Sequence, residues 1–71
     1  MRRYFFNVGD RRDDSGTLLP DEDAAWEEAV ATFSEIVRMT GMLRPGHFCL
    51  MQVMDETGEE FCTFRIDVTR R

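Results

Sequence analysis

A histidine and a cysteine stand two residues apart in the last third of the chain, at His47 and Cys49. A thiol beside an imidazole can act as a nucleophile with its general base. Both lie in a segment predicted to be a strand, where side chains two residues apart share one face. Asp67 is expected to face His47 across a hairpin, where it could orient the ring. No oxyanion site accompanies these residues, so we favour a surface ion pair over a catalytic centre.

The densest group of acidic residues lies between Gly9 and Ala29, where eight of the chain's fourteen carboxylates occur. Calcium loops of the EF-hand type need oxygen ligands at a fixed spacing around a central glycine, and this segment lacks that spacing. We predict instead a polar loop followed by the start of a helix, with Asp21 as the N-cap. The sequence therefore predicts no catalytic residue, no metal site and no cofactor site.

The elements that would position these residues can be read from the spacing of apolar side chains. Residues 3–8 predict a strand with Tyr4, Phe6 and Val8 on one face, and residues 17–19 predict a short returning strand. Residues 21–40 predict an amphipathic helix. Its apolar stripe consists of Trp26, Ala29, Val30, Phe33, Ile36 and Val37. Gly41 fits the left-handed position that ends a helix.

The last third of the chain predicts a hairpin of two alternating segments, residues 47–54 and 59–68, with Gly58 in the turn. The register that sets Asp55 opposite Glu59, Leu50 opposite Phe64 and Phe48 opposite Ile66 keeps apolar side chains together. The face toward the helix then carries Phe48, Leu50, Met54, Cys62, Phe64, Ile66 and Val68. Cys49 and Cys62 fall on opposite faces in this register, and we expect no disulfide between them.

Together these elements predict an α+β fold: a three- to four-stranded antiparallel or mixed sheet with one helix on one face, in the order β-(β)-α-β-β. One helix covers only one side of a sheet, and an uncovered apolar patch commonly marks an interaction surface. We therefore predict a non-enzymatic interaction module that binds itself, as a homodimer, or another protein. The predicted contact residues, on the uncovered face, are Phe5, Cys49, Met51, Val53 and Phe61.

Length and charge limit the classes of protein to consider. The 71 residues predict one domain, residues 1–71. Its core supplies no more than ~3–5 kcal/mol unless a disulfide, a metal or a partner subunit adds to it. The net charge of −5 disfavours a nucleic-acid binder. No stretch is long and apolar enough for a membrane span or a signal peptide, so we expect a cytoplasmic protein without membrane contact.

Four segments carry a resemblance to a known family: residues 1–7, residues 14–21, residues 24–25 and residues 28–29. The chain resembles small bacterial proteins, classed as a domain of unknown function, that begin M-R-Y-F-F and carry D-x-x-G-x-x-L-P-D before one helix. The resemblance implies a bacterial cytoplasmic origin and a compact unit of strands around one helix. It implies no activity and no catalytic residue.

A second resemblance, to the HicB-type antitoxin domain, rests on residues 20–21 and residues 27–29. Those domains also begin with a strand and enter their helix through a Pro–Asp segment followed by E-E-A. This resemblance implies an alternative function, a regulator that binds a basic partner protein through acidic residues on its helix.

Overall fold

The computed structural model of the chain describes residues 1–39 and 44–70. Its elements, in chain order, are β1 (Arg2–Val8), β2 (Thr17–Leu19), α1 (Glu22–Met39), β3 (Phe48–Asp55) and β4 (Glu60–Asp67). Within this part of the chain the strands form one four-stranded antiparallel sheet in the order β2–β1–β3–β4. The predicted α+β class is confirmed. The predicted helix end at Gly41 lies outside the described residues.

Helix α1 packs against the sheet through its smallest side chains. Ala25 and Ala29 are fully buried, and Phe33 and Ile36 pack beside them. Alanine has no side-chain bulk beyond Cβ, so the helix backbone can approach the strands closely at these two positions. The other residues of the predicted apolar stripe lie to one side of this contact with the sheet, and Trp26 among them is half-exposed.

Strand β1 alternates as the sequence predicts. Tyr4 is buried beneath the helix, with Phe6 and Val8 on the same face packed against the core. The Tyr4 ring meets the edge of Phe61, with ring centroids 5.5 Å apart. Its hydroxyl group has no hydrogen-bond partner within the described part of the chain, so the ring is what Tyr4 contributes to the core.

The turn between β3 and β4 is organised by Asp55. Its backbone N–H donates to the carbonyl of Glu59 at 2.8 Å, which confirms the predicted pairing of these two residues. Its carboxylate accepts the Thr57 hydroxyl and the N–H groups of Thr57 and Glu59. These bonds, the Thr57 hydroxyl first, hold the pKa of Asp55 below its usual value. Gly58 takes a φ of +88°.

Beyond this turn the pairing shifts by one residue. Met54 lies opposite Glu60, but Val53 lies opposite Cys62, so Phe61 is the extra residue of a β-bulge. A shift of one residue exchanges the two faces of one strand relative to the other. The bulge therefore keeps β4 oriented as predicted and reverses β3.

The reversal corrects the predicted faces of the sheet. Leu50 lies opposite Arg65 and Phe48 opposite Asp67, so the predicted pairs with Phe64 and Ile66 are wrong. Four residues predicted on the uncovered face lie on the helix side instead: Cys49, Met51, Val53 and Phe61. Phe5, the fifth, does lie on the uncovered face. It shares that face with three residues predicted to lie under the helix: Phe48, Leu50 and Met54.

The register expected from the sequence and the bulged register of the structure predict opposite results for substitutions at Met51 and Leu50. Met51 is fully buried, so Met51→Ala should lower the free energy of unfolding by about 2–5 kcal/mol. Leu50 is only partly buried, and Leu50→Ala should cost about 1 kcal/mol. Urea unfolding followed by circular dichroism measures both. Loss of the native fold in Met51→Ala alone agrees with the prediction, whereas a larger loss in Leu50→Ala would contradict the bulged register.

Candidate functional site

The residues predicted as an interaction surface do not form one. Met51 and Val53 are fully buried between the sheet and α1, and Phe61 packs against the same core. Cys49 and Phe5 lie on opposite faces of the sheet and are both partly buried. These side chains therefore share no surface that a partner could reach.

The predicted ion pair between His47 and Asp67 is also wrong. The His47 carbonyl accepts the N–H of Val68 at 2.9 Å, so His47 lies beside Val68. The Asp67 carboxylate accepts hydrogen bonds from the Arg65 guanidinium, the closest at 3.1 Å. Asp67 is therefore already engaged and does not orient the imidazole.

The two cysteines are free. The reason predicted for this is wrong, because Cys49 and Cys62 lie on the same face of neighbouring strands, opposite Ile66 and Val53 respectively. They are four residues apart along the strands, roughly 13 Å, which is beyond the reach of a disulfide. Burial raises the pKa of the Cys62 thiol, and the nearby Glu60 carboxylate raises it further. A thiol with a raised pKa is a weak nucleophile.

Asp13 organises the acidic loop that precedes α1. Its carboxylate accepts the N–H groups of Phe6 at 3.1 Å, Gly16 at 3.0 Å and Ser15 at 3.3 Å, while its own N–H donates to the Asn7 side chain. Desolvation acts to raise the pKa of Asp13, but the three N–H groups outweigh it, and the pKa lies below its usual value. β2 is too short to pair with β1 as far as Phe6, and the Asp13 carboxylate provides the hydrogen-bond acceptor for the backbone of β1 there.

Gly16 lies where the loop comes alongside β1, just before β2. Its φ is +72°, and a Cβ there would lie 2.7 Å from the Arg3 Cγ, 2.9 Å from the Phe5 ring and 3.0 Å from the Tyr4 carbonyl oxygen. Real Cβ atoms almost never approach other atoms so closely. Both the backbone conformation and the space around Gly16 therefore require glycine.

The end of the same segment starts the helix. Leu19 packs against the core, and the Asp21 carboxylate accepts the N–H of Ala24 at 2.8 Å. Asp21 is therefore the N-cap, as the sequence predicts. The acidic segment is confirmed as a loop and a helix start. Among the described residues no three His, Cys, Asp or Glu side chains are grouped so as to hold a metal ion.

A different surface remains open beside β4, on the helix side of the sheet. Trp26 and Phe33 both pack on Phe64, with ring centroids 5.3 and 5.4 Å apart. Trp26 is nevertheless 50% exposed, and Val30, one turn further along α1, is 39% exposed. The helix therefore covers the sheet only as far as Phe64. The exposed apolar side chains of Trp26 and Val30 lie beside Phe64, and we call this surface the apolar step.

The backbone of β4 borders this step. The N–H and C=O groups of alternate residues point to opposite sides of a strand. Because the Val68 N–H donates to His47, the backbone groups of Phe64 also point toward β3. Those of Thr63, Arg65 and Asp67 point away from the sheet, and no strand in the described residues pairs with them. We call this free edge, together with Trp26, Val30 and Phe64, the β4 flank.

On the uncovered face, the same edge carries charges that neutralise each other. The Arg65 guanidinium lies 4.7 Å from the centre of the Phe48 ring and pairs with Asp67. Phe48 is 57% exposed. Sequence reasoning missed the β4 flank because the position of β4 at the edge of the sheet depends on the pairing of β1 with β3, which no local pattern predicts.

Comparison with known families gives the chain its classification. A family model described as a domain of unknown function (DUF6894) matches residues 3–67. The chain belongs to this family. The predicted resemblance to such a family is thereby confirmed. No curated protein and no solved structure is similar enough to the chain to match it.

The match to DUF6894 runs from the second residue of β1 to the end of β4 and so includes the sheet apart from Arg2, together with α1 and the β4 flank. The family carries no known enzymatic role. In the described part of this DUF6894 chain, no helix has both the length and the apolar character needed to cross a membrane.

Gly16→Ala should destabilise the fold more than Gly9→Ala. Both glycines have positive φ, +72° and +59°, but a Cβ on Gly9 would have no atom within 4 Å. We expect a loss of about 1 kcal/mol for Gly9→Ala and about 2–3 kcal/mol for Gly16→Ala, since only the latter forces its neighbours apart. Urea unfolding of the two variants measures the difference. Equal losses of stability would show that Gly16 packs less closely against β1 than the structure indicates.

The Asp13 loop should make stability depend on acid pH. Because the folded pKa of Asp13 is lowered, its contribution is present above the unfolded value near 3.8 and is lost as pH falls through the folded value. Asp13→Asn should therefore cost about 1–2 kcal/mol at neutral pH and progressively less in acid. Asp14→Asn is the matched control, since Asp14 is exposed. A stability difference from wild type that stays constant with pH would contradict this account.

Proposed function

We propose that this chain is a non-enzymatic protein-interaction module whose contact surface is the β4 flank. The observation that carries the proposal is that a half-exposed tryptophan lies beside a free strand edge. A partner strand added to β4 would gain main-chain hydrogen bonds from the edge and apolar contacts from Trp26 and Val30.

The two edges of the sheet differ in a way that favours β4. The edge formed by β2 has three residues, and Asp13 satisfies part of β1 beyond it. The edge formed by β4 has eight residues. Proteins protect long edges with prolines or isolated charges. In β4 there is no proline, Arg65 and Asp67 pair with each other at 3.1 Å, and the remaining charge, Glu60, lies at the hairpin end of the strand.

The ionisable groups support a non-enzymatic role. The two carboxylates with lowered pKa, Asp13 and Asp55, both accept backbone N–H groups in loops. The pKa of the Cys62 thiol is raised, away from the thiolate that a nucleophile needs. Each of these shifts therefore has a cause in the fold, and among the residues that the structure describes none prepares a group for proton transfer or attack.

The uncovered sheet face fits a partner less well than the β4 flank. A polar row of Asn7, Gln52 and Thr63 crosses its middle, because these residues lie side by side on β1, β3 and β4. The apolar residues of this face are thus divided: Phe5 and Met54, with Leu18 beyond them on β2, lie on one side of the row, and Phe48 and Leu50 lie on the other. This division reduces the continuous apolar area that the uncovered face offers to a partner.

A second candidate is a regulator that binds a basic partner, as in the antitoxin resemblance. The observation in its favour is that α1 carries five carboxylates against one guanidinium. Glu27 and Glu28 are both exposed. A complex of this kind should weaken strongly as salt rises, whereas binding at the β4 flank should change little.

Two substitutions of matched exposure test the contact surface. Trp26→Glu places a charge in the β4 flank, and Phe48→Glu places one on the uncovered face; the two side chains are 50% and 57% exposed. We expect proteins that copurify with the tagged wild-type chain, quantified by mass spectrometry, to be lost with Trp26→Glu and retained with Phe48→Glu. Circular dichroism checks that both variants fold.

The opposite pattern would move the contact surface to the uncovered face. Loss of binding in high salt with both variants unaffected would favour the acidic helix and the basic partner. An identical set of proteins for all three chains, unchanged by salt, would contradict the proposal.

A further inference from the structure

We propose that the β4 flank binds the β4 flank of a second copy of this chain, with the two β4 strands pairing antiparallel about a twofold axis beside Phe64. This inference rests on the proposed function, because it names the partner of the same surface. The result would be one continuous eight-stranded sheet. A twofold axis perpendicular to the sheet keeps both helices on one face.

The direction of the backbone groups limits the possible registers. Thr63, Arg65 and Asp67 point their N–H and C=O groups outward, as argued above from the bond between Val68 and His47. Hydrogen bonds across the new edge form only when outward residues of one copy lie opposite outward residues of the other. The twofold axis must then pass beside one residue of β4. Centring on Thr63 sets Arg65 opposite Phe61, the extra residue of the bulge, and so leaves only the pair of Thr63 with itself in regular pairing. The remaining central choices are Phe64, Arg65 and Ile66.

Charge and overlap distinguish these registers. Centring on Arg65 sets two guanidinium groups directly opposite each other, which is destabilising. Centring on Ile66 overlaps only residues 65–67, because β4 ends at Asp67. Centring on Phe64 gives regular overlap over residues 62–66, where the bulge at Phe61 does not interrupt it, and sets each Arg65 opposite Thr63 of the second copy. We therefore assign the register centred on Phe64.

The same register covers the exposed apolar step. The two Phe64 side chains form a pair without hydrogen bonds between their own backbones, the kind in which side chains come closest, with Cα atoms about 4.5 Å apart. Cys62 lies opposite Ile66 of the second copy, on the helix side. Trp26 already contacts Phe64 within one chain at 5.3 Å, so the added Phe64 enters beside its exposed surface.

The small core gives an independent reason for self-association. Among the described residues the fully buried core consists of Tyr4, Ala25, Ala29, Met51 and Val53. Small domains without disulfides commonly gain stability by oligomerisation. Both cysteines are free here, so a second copy would supply the additional burial.

The mass in solution tests whether the pairing occurs. Light scattering over a roughly hundredfold dilution, in reductant, should give twice the monomer mass of 8.3 kDa. Thr63→Pro removes an outward N–H that takes no part in the pairing with β3, so it should weaken the dimer roughly tenfold or more and leave the monomer folded. Thr63→Ala, the matched control, should leave the dimer intact.

Disulfide cross-linking tests the register. Thr63→Cys and Arg65→Cys chains are prepared with Cys49 and Cys62 replaced by alanine and are then mixed and oxidised. Directly opposed positions lie within disulfide range, whereas diagonal positions, about 7–8 Å apart, do not. The mixture should therefore form 63–65 cross-links, and neither chain alone should cross-link efficiently. Efficient cross-linking of Arg65→Cys alone would overturn the assigned register.

The failure of this inference can be separated from the failure of the proposed function. A monomer at every concentration, with no cross-links, overturns self-pairing; if Trp26→Glu still abolishes binding to another protein, the proposed function stands. A dimer that survives both Thr63→Pro and Trp26→Glu overturns self-pairing at β4 and places the dimer contact on another surface; the proposed function falls only if Trp26→Glu also retains every protein that copurifies with the wild-type chain.

Discussion

The rest of this structure depends on the β-bulge at Phe61. The Asp55 turn fixes one register, with Met54 opposite Glu60, while the core requires another, with Val53 opposite Cys62. The extra residue reconciles the two, because it lets the pairing shift without breaking the hairpin. It also adds an aromatic ring to the core, since the rings of Phe61 and Tyr4 meet edge-on. Which side of the central strand β3 faces the helix follows from this one insertion.

Features set by local interactions could be predicted from the sequence. The N-cap at Asp21, the alternation of β1 and the Asp55 turn each depend on residues within a few positions of one another. The face of β3 does not, because a bulge is not visible in a strand read alone. A clue was present in Gln52, however. Any register that buries Leu50 and Met54 also buries the amide between them, at a cost of about 1–3 kcal/mol if it lacks a partner.

The acidic segment shows that composition can predict the type of a segment but not the contacts that its individual residues make. Its charge density predicts a loop and a helix start, but not that Asp13, among its many carboxylates, would reach the backbone of Phe6 at 3.1 Å. That contact depends on how far β2 extends along β1, which only the folded sheet determines. The D-x-x-G spacing therefore has a physical reason. The Asp13 carboxylate accepts the N–H of Gly16, and Gly16 is also the residue whose backbone lies closely against β1.

The bulge also decides where a partner could bind. With β3 reversed, Met51 and Val53 go into the core and Gln52 comes out between Asn7 and Thr63, so the uncovered face acquires a polar middle. The apolar surface that remains lies where α1 stops short of the last strand, beside Trp26. Because the bulge leaves the outer part of β4 in regular pairing with β3, the opposite edge of β4 is regular too. A regular edge beside an aromatic step is the arrangement that an added strand requires.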